Sequence, residues 1–88
     1  MTNPRYNHVA IQKLFNAGYL HEGIAMAKRF IAKHGKENSQ IEILLLAKGL
    51  FAAGFCHEAQ FWIKRTTADP ITRIPLEEKI ENKICHLT

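Results

Sequence analysis

The chain has 88 residues, of which 47% are hydrophobic and 23% charged, and its net charge is +4 with histidine neutral. This length fits one domain, residues 1–88, and the apolar content excludes a disordered chain. The opening MTNPRYNHVA lacks a charged region followed by an apolar core, and no apolar run is long enough to span a bilayer. We therefore expect a cytoplasmic protein with reduced thiols.

The first predicted element is a helical hairpin over residues 4–35. Pro4 suits the first position of a helix, which we expect to run to about Asn16. A turn at Gly18 leads into a second helix. That helix is expected to end at Gly35, because glycine readily adopts the left-handed conformation that closes many helices.

A second predicted hairpin covers residues 39–68. Ser39 and Glu42 fit a capping box, in which the hydroxyl and the carboxylate each bond a free backbone N–H at the helix start. This helix is expected to reach Ala53, and its partner helix to cover residues 56–67.

The last predicted element is a C-terminal helix over residues 75–87. Asp69 and Pro70 are predicted to end the second hairpin, and Pro75 to open the final helix. One face of this helix is apolar and the other charged, which suits the end of a repeat stack. The chain is therefore predicted to be all-α.

The two hairpins contain a repeated phrase. LFNAGYLHE begins at Leu14 and LFAAGFCHE begins at Leu50, which is 36 residues later. When residues 11–30 are aligned with residues 47–66, eight of the twenty positions are identical. A period of this length indicates a helical repeat.

The repeated phrase resembles the turn of tetratricopeptide repeats (TPR). Six residues of the second unit fall at or beside the characteristic positions of that family: Ala47, Leu50, Gly54, Phe55, Ala59 and Pro70. The resemblance implies two TPR-like helix-turn-helix repeats followed by a capping helix. By size, architecture and its apolar third helix, the chain resembles the small TPR-like chaperones of type III secretion needle subunits. That resemblance implies a groove that shields an amphipathic helix of the secreted subunit, and a second small helical protein as co-chaperone.

The segment SQIEILLLAKGLFAAG leaves the third predicted helix almost no polar face, and a helix that is apolar all round must be covered all round. We expect part of that cover to come from a partner bound in an apolar concave groove. The expected groove residues are Phe15, Ile41, Leu44, Leu45, Lys48, Phe51 and Ala52. The polar end of the groove is expected at Arg5, His8, Gln12 and Asn16. The alternatives are that the C-terminal helix fills the groove and that the two phenylalanines are ordinary core residues.

A basic face is predicted on the second helix, formed by Arg29, Lys33 and Lys36. It is either a solvated helix surface or a contact for an acidic partner or a phosphate backbone.

We expect no metal, no cofactor and no enzymatic activity. Two adjacent Cys-His pairs occur, at residues 56–57 and 85–86, but neighbouring residues of a helix diverge by about 100°. The sequence has no C-x-x-C spacing, no H-x-x-x-H spacing and no phosphate-binding loop.

Two other functions stay open beside protein binding. The period and the repeated phrase also resemble pentatricopeptide repeats, which read single-stranded RNA. We favour a protein partner over nucleic acid because Ile41 and Leu44 are poorly suited to reading bases. The third possibility is a homo-oligomerising structural module, whose apolar face is a dimer interface.

Overall fold

The computed structural model describes residues 7–87, and the side chains of residues 8–84. This part of the chain forms five α-helices and contains no strand, so the all-α prediction is confirmed. The helices are α1 (Asn7–Asn16), α2 (Leu20–His34), α3 (Gln40–Ala52), α4 (Cys56–Ile63) and α5 (Pro70–Leu87). The predicted start of the first helix, at Pro4, lies outside the described residues.

The helices form two layers. Each helix packs against the next one along the chain, and α3 also contacts α1 and α5. Helices α1, α3 and α5 therefore make one layer, while α2 and α4 make the other. The molecule is elongated, with extents of 45 × 25 × 21 Å.

Helix α3 is the centre of the core because the four other helices all contact it. Its fully or almost fully buried aliphatic side chains include Ile43, Leu46 and Leu50. They pack in one cluster with buried isoleucines from the surrounding helices, namely Ile11, Ile24, Ile31, Ile63 and Ile80. The burial of each such side chain contributes about 1.5–3 kcal/mol to the free energy of folding, because its apolar surface is removed from water. The cover that an all-apolar helix needs thus comes largely from the chain itself.

The repeated phrase forms the same turn twice. In the first hairpin the Gly18 N–H donates to the Phe15 carbonyl at 3.0 Å and the Tyr19 N–H to the Leu14 carbonyl at 2.9 Å. The equivalent bonds around Gly54 measure 3.1 and 2.8 Å. Gly18 and Gly54 have φ values of 88° and 92°, the left-handed conformation that this helix-closing motif requires. The TPR-like packing of the two hairpins stays a prediction.

The capping box predicted at the start of α3 does not form. Ser39 is fully buried, and its hydroxyl oxygen has no hydrogen-bond partner in the described part of the chain. The ψ angle of Ser39 is 28°, whereas a capping side chain needs an extended backbone to reach the first amides of the helix. The Ser39 carbonyl still accepts the first helical bond, from the Ile43 N–H at 2.8 Å.

Helix α4 ends at Ile63, four residues before its predicted end. The following threonines bond to the start of α3 instead of extending the helix. The Thr66 hydroxyl donates to the Gln40 carbonyl at 2.7 Å, and the Thr67 N–H donates to the Gln40 side-chain oxygen, also at 2.7 Å. These tertiary bonds hold the chain between α4 and α5 against α3.

Helix α5 starts at Pro70, so the predicted start at Pro75 is wrong. Asp69 precedes the helix, and its carboxylate accepts a bond from the Thr72 hydroxyl at 2.7 Å while its carbonyl accepts one from the Arg73 N–H at 2.8 Å. Pro75 lies inside the helix, where its missing N–H leaves the Ile71 carbonyl without its helical bond. The helix packs mainly on α4 and touches α3. It therefore lies beside α4, and the groove lined by Ile41, Leu44 and Lys48 stays open next to its first turn.

Candidate functional site

A groove of about 400 Å³ lies between α1, α3 and the start of α5. Helix α3 contributes four of its nine lining residues, more than α1 or the segment around the start of α5, which supply the rest. We call it the main groove, and its lining residues are His8, Gln12, Ile41, Leu44, Leu45, Lys48, Ala68, Asp69 and Thr72.

A smaller cavity of about 130 Å³ continues along α3. We call it the side pocket, lined by Gln12, Phe15, Leu20, Lys48, Gly49 and Ala52. Because the two cavities share Gln12 and Lys48, they adjoin at these side chains. Together they form one trough that follows α3 for most of its length.

The structure brings most of the sequence-predicted groove residues to this trough. Ile41, Leu44, Leu45 and Lys48 line the main groove, while Phe15 and Ala52 line the side pocket. Phe51 lines neither cavity and packs, partly buried, against the core cluster.

Two of the residues predicted for the polar end of the groove, His8 and Gln12, lie on α1 and line the main groove. With Asp69 and Thr72 they flank the apolar side chains of α3, whereas the side pocket is lined mostly by apolar residues. Asn16 lines neither cavity but accepts a bond from the Gln12 amide at 2.9 Å. Arg5 lies outside the described residues.

The apolar side chains of the main groove differ sharply in exposure. Leu44 and Leu45 are only 5% and 7% exposed, so the chain's own packing already covers these floor residues. Ile41 is 49% exposed at the rim. A partner in this groove would bury the apolar surface of Ile41 far more than that of the two leucines.

Lys48 is partly buried at the point where the two cavities adjoin. All eight acidic residues of the chain lie among the residues with described side chains. The one ion pair found there joins Lys28 to Glu58 at 2.8 Å, in the other helix layer. Lys48 thus brings a positive charge to a groove in which Asp69 is the one acidic lining residue.

Phe15, one of the predicted groove residues, lines the side pocket and also packs against neighbouring helices. Its ring lies against the backbones of Gly23 and Gly49, and a Cβ atom at either glycine would overlap the ring. The alignment of the two repeats pairs Gly23 with Ala59, so the sequence indicated that a small residue is needed at position 23. Gly49 was a second indication of close packing, because glycine is unfavourable inside a strongly helical apolar segment.

Sequence reasoning missed the third wall of the main groove. Ala68, Asp69 and Thr72 line it because α5 begins at Pro70. With the helix start placed at Pro75, these residues fell in a connecting loop. The Asp69-x-x-Thr72 spacing was the available signal, since an aspartate before the first turn commonly caps a helix.

The predicted basic face lies away from the trough. Arg29, Lys33 and Lys36 are exposed, and the first two lie on α2, in the layer that does not form the main groove.

Cys56 is a buried free thiol. Among the described residues, no three His, Cys, Asp or Glu side chains are grouped to hold a metal ion. No helix in the same part of the chain has the length and apolar character needed to cross a membrane.

Comparisons with models of protein families, with curated proteins and with solved structures found no significant match to this chain.

Proposed function

We propose that this chain is a protein-binding module, not an enzyme, and that the main groove holds an amphipathic helix of a partner protein. One observation carries the proposal: exposed Ile41 and partly buried Lys48 lie in one trough above a floor of buried leucines. A groove of this kind accepts the apolar face of a helix.

The spacing on α3 defines the chemistry of the bound helix. Ile41 and Lys48 are seven residues apart, which is about 10.5 Å along a helix. A helix that lies along α3 would place an apolar side chain on Ile41 and a carboxylate on Lys48. These two side chains would also be about seven residues apart in the partner, since that spacing returns to the same helix face.

The narrower proposal follows the family resemblance. The bound helix would belong to a secreted type III needle subunit, which the chain would shield in the cytoplasm with the help of a second small helical co-chaperone. The small size, the two hairpins with an end helix, and the trough along α3 support this proposal.

A binding titration tests the general proposal. The probe is a fluorescein-labelled peptide of about 20 residues with a leucine stripe, one glutamate seven residues from the central leucine, and otherwise neutral polar residues. Ile41→Asp should weaken binding about tenfold or more, because it places a charge where apolar surface is buried. The matched control is Ile71→Asp, since Ile71 is 87% exposed on α5 and does not line the main groove. Equal affinities for the two variants would contradict the proposal.

Co-expression tests the narrower proposal. The needle subunit encoded in the same genome should form a soluble complex with the chain, and Ile41→Asp should abolish that complex while Ile71→Asp preserves it. If the peptide binds but the needle subunit does not, the groove stands and the chaperone assignment is wrong.

A steep loss of RNA affinity with salt would instead favour the RNA-binding alternative. A single discrete dimer formed by the chain alone would favour the structural module.

A further inference from the structure

A second cavity, of about 530 Å³, lies between α2 and α4, in the helix layer that does not form the main groove. Helix α2 contributes Lys28, Ile31 and Ala32, and α4 contributes Glu58, Phe61 and Trp62. We call it the α2–α4 cleft. It shares no lining residue with the main groove or the side pocket.

An exposed and fixed aromatic side chain marks one wall of the cleft. Phe61 is 48% exposed, yet the Arg65 guanidinium lies 3.4 Å from its ring centre and the Trp62 ring stands edge-on at 5.3 Å. The first repeat has Ala25 and Met26 at the equivalent positions, so the hairpin does not require this aromatic pair. A rigid aromatic side chain at a surface loses little conformational entropy on binding, and aromatic and arginine residues dominate the energetics of many protein interfaces.

The repeat carries the same basic pair in both units, and one residue of each pair meets the cleft: Lys28 lines it and Arg65 lies over the Phe61 ring. Lys28-Arg29 of the first unit recurs as Lys64-Arg65 of the second, 36 residues later. Within the cleft, the Lys28 ammonium neutralises the Glu58 carboxylate at 2.8 Å. Arg29, Lys64 and Arg65 are exposed and join no ion pair in the part of the chain whose side chains are described. Arg29 also belongs to the predicted basic face, whose other members, Lys33 and Lys36, are exposed as well.

We propose that the α2–α4 cleft is a second docking surface, which binds an acidic amphipathic segment of a protein partner. Apolar side chains of that segment pack on Phe61 and Trp62, and its carboxylates face Arg29, Lys64 and Arg65. Arg65 lies on the ring of a lining residue, and Arg29 and Lys64 are exposed within three residues of lining residues of α2 and α4, so positive charge argues for an acidic partner. The aliphatic wall formed by Ile31 and Ala32 argues for a protein segment over nucleic acid.

The fluorescence of Trp62 offers a local readout, because it is the only tryptophan in the chain. The probe is a tryptophan-free peptide of about 20 residues, with a leucine stripe flanked by glutamates. Its control carries lysine in place of each glutamate, and an oligouridylate of similar length tests for nucleic acid. The acidic peptide should shift the Trp62 emission and bind at least about tenfold tighter than the lysine peptide, with an affinity that falls as salt is added. The oligouridylate should neither shift the emission nor displace the peptide.

Three variants locate the binding surface. Arg65→Glu should weaken the acidic peptide about tenfold, because it replaces an attraction by a repulsion. Lys79→Glu makes the same charge change at an exposed position of α5 and should leave the affinity measured by Trp62 emission unchanged. Phe61→Ser should weaken binding without altering the charge, and helicity measured by circular dichroism should be equal in all variants.

Four results would overturn the proposal. They are the absence of any saturable Trp62 shift with the acidic peptide, equal binding of the acidic and lysine peptides, displacement by the oligouridylate, and equal losses for Arg65→Glu and Lys79→Glu. None of these results bears on the main groove, because that site is tested by Ile41→Asp with a different peptide.

Discussion

At the scale of single residues, Phe15 both lines the side pocket and packs against two neighbouring helices. The repeated phrase places Phe15 and Phe51 just before each turn, and both were expected in the groove. The structure sets the ring of Phe15 against two glycines on two different helices. Sequence alone could not show this contact, because it depends on how closely α2 and α3 approach α1.

Gly49→Ala tests the importance of that contact. Alanine is favoured over glycine in a helix by about 1 kcal/mol, but its Cβ would overlap the Phe15 ring. The same edge of the ring also faces Gly23, so the ring can only withdraw outward and lose burial. Overpacking of this kind costs about 1–3 kcal/mol, and we expect a net loss of stability in urea unfolding.

The matched control is the same change in a Phe15→Ala background. Without the ring the steric cost disappears, so Gly49→Ala should then stabilise the protein by up to about 1 kcal/mol. A stabilising effect of similar size in both backgrounds would show that the ring does not fill this space.

At the scale of helices, the two turns and the start of α4 were predictable, and the start of α5 was not. The Ala-Gly turn depends on one left-handed glycine and on local hydrogen bonds, so the repeated phrase was enough to predict both turns. The start of α5 was ambiguous, because both Pro70 and Pro75 are acceptable at the first position of a helix. Asp69 and Thr72 decide in favour of Pro70 through bonds that the proline pattern does not reveal.

Replacement of each proline separates the two possible starts of α5. In the structure Pro75 lies inside the helix, where its removal restores an N–H that can bond to the Ile71 carbonyl. Pro75→Ala should therefore stabilise the protein by about 1 kcal/mol or more, while Pro70→Ala at the first helical position should be nearly neutral. Thermal unfolding followed by circular dichroism measures both changes. If Pro75→Ala is the more destabilising change, the helix begins at Pro75 as the sequence first indicated.

At the scale of the whole molecule, the two helix layers separate two surfaces with different chemistry. The layer of α1, α3 and α5 carries the apolar trough with Lys48, and the layer of α2 and α4 carries a cleft with the aromatic pair Phe61 and Trp62. The all-α class followed from sequence periodicity. The exposure of each groove residue did not, because the cover over Leu44 and Leu45 depends on helices packed from elsewhere in the chain.

Aspartate substitutions in α3 measure how much of the apolar helix the fold already covers. Leu44 is 5% exposed, so Leu44→Asp would bury an unpaired carboxylate at a cost of about 3–5 kcal/mol, comparable to the whole stability of a small domain. We expect this variant to lose helical signal in circular dichroism and to aggregate or expand in light scattering. Ile41→Asp changes a half-exposed position and should keep the wild-type helicity and size, with a change in stability within about 1 kcal/mol. If Leu44→Asp instead folds as well as Ile41→Asp does, Leu44 faces solvent and the groove is deeper and more apolar than the structure shows.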